Sequence, residues 1–128
     1  MWIGEAAEQA GVNIQTLRYY ERRGLLPRTP RRASGYREFP DDAVRIVRFI
    51  KRAQDLGFSL AEVEELLRLR RHSGKNRARI RSVADEKIHQ IDQKVAELER
   101  MKRALETLVR SCRDGATLDC PIIEALDH

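Results

Sequence analysis

Apolar residues recur along the chain in two different rhythms. Up to Leu69 they fall into short helical groups separated by glycine or proline, whereas from Asn76 to Ser111 they form one narrow stripe with neither breaker. In the first part, Gly4 to Ala10 is a small-residue helical pattern that Gly11 stops. Asn13 is placed to cap a second helix carrying Leu17 and Tyr20, which runs through the Arg22-Arg23 pair to Gly24. Two short helices joined by a glycine turn predict a helix-turn-helix. Asp41 and Asp42 begin a third helix whose buried side is read as Val44, Val47, Ile50 or the Lys51 stem, and Leu56, ending at Gly57. Ser59 caps a fourth, in which Leu60, Val63, Leu66, Leu67 and Leu69 repeat at helical spacing. The last two helices are expected to complete a small core.

Between the second and third helices, Pro27 to Pro40 holds three of the four prolines, together with Gly35 and the alternating stretch Tyr36-Arg37-Glu38-Phe39. No regular helix tolerates this composition. It reads as a β-hairpin or wing that projects Arg31, Arg32, Tyr36 and Arg37, and equally as a plain surface loop.

The long stripe is more specific. Ala84, Ile88, Ile91, Val95, Leu98, Met101, Leu105 and Leu108 are spaced 4, 3, 4, 3, 3, 4 and 3, a heptad seam with one irregular step. A narrow apolar seam on a charged helix is expected to pair with the same helix of a second chain. The alternative is packing back on its own N-terminal part, but a helix rising about 1.5 Å per residue outruns so small a core.

Composition adds a size limit and a charge map. The 128 residues, 41% apolar and 35% charged, suit one domain or a small domain with an extension, and are too apolar for disorder. The formal net charge is +5, and it is unevenly placed. From Arg18 to Arg52, eleven basic residues face four acids, a local net of +7, as a phosphate-binding footprint requires. A solvated face with a basic bias is the plainer reading; the tyrosines Tyr19, Tyr20 and Tyr36 among the arginines favour a contact surface. No apolar run approaches the roughly 20 residues of a membrane span, and no signal-peptide pattern opens the chain, so the cytosol is the expected compartment. Neither a nucleophile-base pair nor a glycine-rich phosphate loop is visible, so no enzyme activity is expected.

Both cysteines lie in the tail, Cys112 and Cys120, separated by a segment with an Asp114-Gly115 turn that lets the chain fold back. Pro121 suits the first turn of a short final helix, which puts Cys120 at a helix start, where the dipole favours thiolate. Two thiolates make a poor structural zinc site but a reasonable linear site for a soft ion. A disulfide, disfavoured in a reducing cytosol except as a redox switch, and two structural cysteines stay open on spacing alone. His72, His89 and His128 are read as solvated.

The run Leu17-Arg18-Tyr19-Tyr20-Glu21-Arg22-Arg23-Gly24-Leu25-Leu26, the later Gly35-Tyr36-Arg37, and Leu56-Gly57-Phe58-Ser59-Leu60 with Glu62 and Leu66-Leu67 resemble the DNA-binding domain of the MerR family. The heptad helix and the Cys112-to-Cys120 loop ending in Cys-Pro-Ile-Ile resemble its metal-sensing branch, especially the copper-efflux, CueR-like sensors. The resemblance implies a mainly α fold: a winged helix-turn-helix DNA-binding domain with connecting helices over 1–71, a dimerisation helix over 72–111 forming an antiparallel coiled coil, and a metal-binding loop with a short helix over 112–128. It also implies a homodimer on double-stranded promoter DNA that distorts an over-long spacer so that RNA polymerase can use it. Together with the charge map, it makes Arg18, Tyr19, Tyr20, Arg22, Arg31, Tyr36 and Arg37 the candidate DNA-binding residues. Cys112 and Cys120 become the candidate metal ligands, and Ile88, Ile91, Val95, Leu98, Met101 and Leu105 the candidate dimer seam.

The metal implied is copper(I), with silver(I) and gold(I) as mimics and mercury(II) second. Divalent sensors of the family usually add a cysteine from the other subunit where this chain has Arg77, and no cysteine occurs from His72 to Asp85. Two thiolates and a monovalent ion leave a net −1 that an arginine offsets, whereas a divalent ion is already neutralised. A thiol-redox regulator switching through a Cys112–Cys120 disulfide is the other class of function. A metal buffer or chaperone would not need the basic helix-turn-helix.

Overall fold

The computed structural model describes residues 1–26, 39–113 and 120–127, the side chain of Asp41 excepted. The expected wing, including Arg31, Arg32, Tyr36 and Arg37, and the Asp114-Gly115 turn lie outside the described residues, as does His128. Six helices follow one another: α1 (Ile3–Ala10), α2 (Ile14–Arg22), α3 (Asp41–Asp55), α4 (Leu60–Arg70), α5 (Arg77–Arg113) and α6 (Pro121–Leu126). Two compact units are distinguished, Met1–Val83 and Ala84–His128.

Local chemistry sets the helix ends in the first unit. Gly11 stops α1 in the left-handed region, with φ 72°, where a side chain would be strained. The Asn13 side chain then accepts from the Thr16 N–H at 2.7 Å and the Thr16 hydroxyl at 2.8 Å, starting α2. A reciprocal capping box opens α4. The Ser59 hydroxyl accepts from the Glu62 N–H at 3.2 Å, and the Glu62 carboxylate accepts from the Ser59 N–H at 2.8 Å.

Helix α3 is the centre of this unit, packed by α1 on one side and α4 on another. Ala6, Ala7 and Ala10 give α1 a smooth inner face, and Leu17, Val47, Ile50 and Val63 are wholly buried. Phe39 joins them at 1% exposure, and its N–H donates to the Met1 carbonyl. A side chain of that size contributes about 1.5–3 kcal/mol when buried, so the end of the proline-rich segment is anchored in the core. Leu56 departs from the sequence expectation: it is 68% exposed rather than buried. It is the C-cap after Asp55, its N–H donating to the Arg52 and Ala53 carbonyls, and at about 100° per residue it lies on the opposite side of the helix from Val47. In α4 only Val63 is fully buried, while Leu60, Leu66, Leu67 and Leu69 are half-buried.

The start of α5 is tied to α4. Asn76 Nδ2 donates to the Leu69 carbonyl at 3.2 Å, and Arg79 Nε donates to Glu65 Oε1 at 2.7 Å. In the second unit the apolar stripe is open: Ile88, Ile91, Val95, Leu98, Met101 and Leu105 are all exposed, Met101 by 59%. No helix of the described residues is long and apolar enough to cross a membrane.

Candidate nucleic-acid interface and thiol pair

Helix α2 divides its aromatic and basic residues between two faces. Arg18, Tyr19 and Arg22 are exposed, and among the described residues no acidic side chain pairs with Arg18 or Arg22. Tyr20, expected as a DNA contact, is instead a core residue. It is 6% exposed, and its hydroxyl donates to Gln54 Oε1 on α3 at 3.0 Å. Burial, and then the neighbouring Tyr19, push the Tyr20 phenol pKa upward. One residue turns a helical side chain by about 100°, and here that step carries the chain from the exposed Tyr19 to Tyr20 on the face packed against α3.

The basic footprint also divides. Arg48 Nη2 donates to the Gln9 carbonyl and Lys51 Nζ to the Gly11 carbonyl, each at 2.9 Å. These carbonyls close the C-terminal end of α1, where a cation is favoured by the helix dipole. Two of the eleven basic residues therefore hold α1 on α3, and a charge count alone could not separate them from Arg18 and Arg22.

In the second unit, Cys112 is the last residue but one of α5 and Cys120 is the N-cap of α6. Their sulfurs are 3.9 Å apart and both residues are exposed. The pair is asymmetric. Backbone N–H groups of Ile123 and Ile122 hold the Cys120 thiol below its ordinary pKa, while the hydrogen bond from Cys112 and then the charge on Cys120 raise Cys112. The titration belongs to the pair, with the first proton leaving mainly from Cys120. In-line coordination with two metal–sulfur bonds of about 2.3 Å spans about 4.6 Å, so the observed separation fits a thiophilic ion after the sulfurs part by roughly 0.7 Å. It is too long for an S–S bond of about 2.05 Å. Among the described residues no cluster of three or more His, Cys, Asp or Glu side chains forms. His72 and His89 are exposed.

A small helix-turn-helix with an outward basic helix defines a regulatory protein of the DNA-binding class. Residues 1–70 match the model of the MerR helix-turn-helix family of regulatory proteins, and residues 44–108 match the MerR DNA-binding model. The chain is 41% identical over 126 residues to the HTH-type transcriptional regulator HmrR of Sinorhizobium medicae, covering 98% of this chain and 86% of that protein. It superposes on the transcription regulator PbrR691 of Ralstonia metallidurans CH34, solved with lead(II), with a TM-score of 0.85 and 33% identity over 98% of each chain. A MerR regulator of Bacillus megaterium, solved with mercury(II), gives a TM-score of 0.73 and 37% identity over 98% of this chain and 97% of that one. The chain belongs to the MerR family of transcription regulators.

Proposed function

We propose that this chain is a metal-responsive member of the family: a cytoplasmic homodimer that holds promoter DNA through α2 and the segment after it, and takes a soft metal ion at Cys112 and Cys120. The observation that carries the reading is the pair of exposed sulfurs 3.9 Å apart at the junction of α5 and α6. Thiolates select soft ions, and both sulfurs can reach one ion without a large backbone movement. The likeness to proteins solved with lead(II) and mercury(II) supports metal response and makes mercury(II) as good a candidate as copper(I). Both ions accept two thiolates in line, so the shared chemistry is a linear dithiolate complex.

Dimerisation follows from the open stripe on α5, where Ile88, Ile91, Val95, Leu98, Met101 and Leu105 are all exposed. DNA binding follows from Arg18, Tyr19 and Arg22 on α2, joined by Arg31, Tyr36 and Arg37 from the segment after it. Phosphate contacts would set register, and promoter deformability would carry much of the specificity. For metal to act as a switch it must bind two states of the dimer unequally, and moving the balance from 1:99 to 99:1 requires about a 10⁴-fold difference. Seating Ile122, Ile123 and Leu126 on the coil when the ion joins the two cysteines is the source of that difference. The metal-bound form would then distort the promoter so that RNA polymerase can use it.

The test is an anaerobic titration of the dimer, bound to a duplex it selects from a random-sequence library, with Cu(I) and separately with Hg(II). One ion per thiol pair, both thiols protected, and a change in DNA geometry at the same stoichiometry are expected. Metal binding with no change in the DNA would leave a metal buffer, and no binding would remove metal from the function.

A further inference from the structure

Tyr19 is held from two sides. Its ring centroid lies 6.1 Å from that of Tyr20, which is fixed in the core by Gln54. On the other side stands Arg23, one helical turn later, with its guanidinium carbon 6.0 Å from the Tyr19 ring centroid. One guanidinium nitrogen, Nη1, donates to the Tyr19 hydroxyl at 3.4 Å, and the other, Nη2, donates to Glu64 Oε1 on α4 at 3.1 Å. The backbone reinforces this arrangement, since the Arg23 N–H donates to the Tyr19 carbonyl at 3.0 Å.

Arg23 therefore differs from Arg18 and Arg22, its basic neighbours on α2. Its charge is already met by a carboxylate, which reduces what it could gain from a phosphate. Its fork bridges two side chains on different helices, using one guanidinium nitrogen for each in a fixed plane that a single ammonium nitrogen does not offer. The bridge also fixes the polarity of Tyr19. With the phenol oxygen accepting from Arg23, its O–H is left to donate outward. The complementary group is an acceptor, as a phosphate oxygen is.

We propose that Arg23, anchored by Glu64, is a positioning residue for DNA recognition, presenting the Tyr19 hydroxyl as a hydrogen-bond donor to the DNA backbone without contacting the DNA itself. The inference rests on the reading of α2 as the DNA-binding surface. It also explains a sequence feature that the charge map left undivided, the Arg22-Arg23 pair: Arg22 is free to meet phosphate, and Arg23 is spent on its neighbour.

The experiment measures affinity for the selected duplex against salt concentration in wild type, Arg23→Gln, Tyr19→Phe, the double variant and Arg18→Ala. Loss of one oriented hydrogen bond is expected to weaken binding about fivefold in either single variant. The double variant should be no weaker than either single, because Arg23 acts through the hydroxyl that Tyr19→Phe removes. The salt slope of Arg23→Gln should equal that of wild type. A slope shallower by about 0.9 would make Arg23 a phosphate ligand and overturn the proposal. Multiplying losses in the double variant, or unchanged affinity in Arg23→Gln, would overturn it as well. If Arg23→Gln unfolds more readily than wild type, Arg23→Lys takes its place: lysine keeps a cation but loses the fixed two-nitrogen fork, and the same non-additivity with Tyr19→Phe is expected. Failure of the underlying reading looks different: Arg18→Ala and Tyr19→Phe would both bind as wild type.

Discussion

The Tyr20 hydroxyl on α2 donates to Gln54 on α3 at 3.0 Å, while Tyr19 beside it points outward. Two adjacent residues of one type thus have opposite duties. Tyr20→Phe removes a part-buried hydrogen bond and should cost about 1 kcal/mol of stability, with operator affinity unchanged. Tyr20→Ala should cost about 3–5 kcal/mol, as a large aromatic removed from a core does. Chemical denaturation measures both, and a loss of DNA affinity in Tyr20→Phe at full folding would return Tyr20 to the interface.

The basic residues should separate in the same way. Arg18→Ala or Arg22→Ala is expected to weaken DNA binding and lower the slope of log affinity against log salt by about 0.9 for each phosphate left without its arginine. Arg48→Ala removes a bond to the Gln9 carbonyl, so it should lower thermal stability and leave the slope intact. Equal slopes in all three variants would dissolve the proposed footprint.

Much of this division was closed to the sequence, for reasons visible in particular residues. Asn13, Ser59 and Gly11 act through bonds to residues at most four positions away, so the ends of α1, α2 and α4 were legible. The stripe on α5 was legible because its spacing depends on one helix alone. Tyr20 and Phe39 depend on long-range partners, Gln54 and Met1, which periodicity does not report. Leu56 is apolar but lies about 180° round the helix from Val47 at 100° per residue, so helical spacing itself sets it off the buried face. For the thiol pair, spacing left a metal, a disulfide and a structural role all open. The structure adds that the two sulfurs are exposed and 3.9 Å apart, within reach of one ion or of each other.

The open stripe on α5 gives a direct test of assembly. Leu98→Asp or Ile91→Asp would bury an unpaired carboxylate in a two-chain seam, a cost of several kcal/mol. Sedimentation at micromolar concentration should show a wild-type dimer and a monomeric or unfolded variant. A wild-type monomer under those conditions would refute the paired-helix reading.

The asymmetry of the thiols yields the last prediction, because it fixes both an order of reaction and a proton count. With Cys120 held below its ordinary pKa and Cys112 above, alkylation by iodoacetamide should mark Cys120 first, and the preference should shrink as pH rises and Cys112 ionises. A metal that needs two thiolates displaces whatever protons remain. Binding should therefore release about two protons below the lower pair value, about one between the two values and none above both, with affinity rising with pH until Cys112 has ionised. Cys112→Ser and Cys120→Ser should each abolish metal-dependent transcription and leave operator affinity nearly intact, since a serine hydroxyl stays protonated and is a hard donor. Stoichiometric Cu(I) or Hg(II) should protect both thiols of wild type together. Full induction by metal in both serine variants would place the sensor elsewhere in the chain. Loss of DNA binding in either would mean that the cysteines hold the fold instead of the ion.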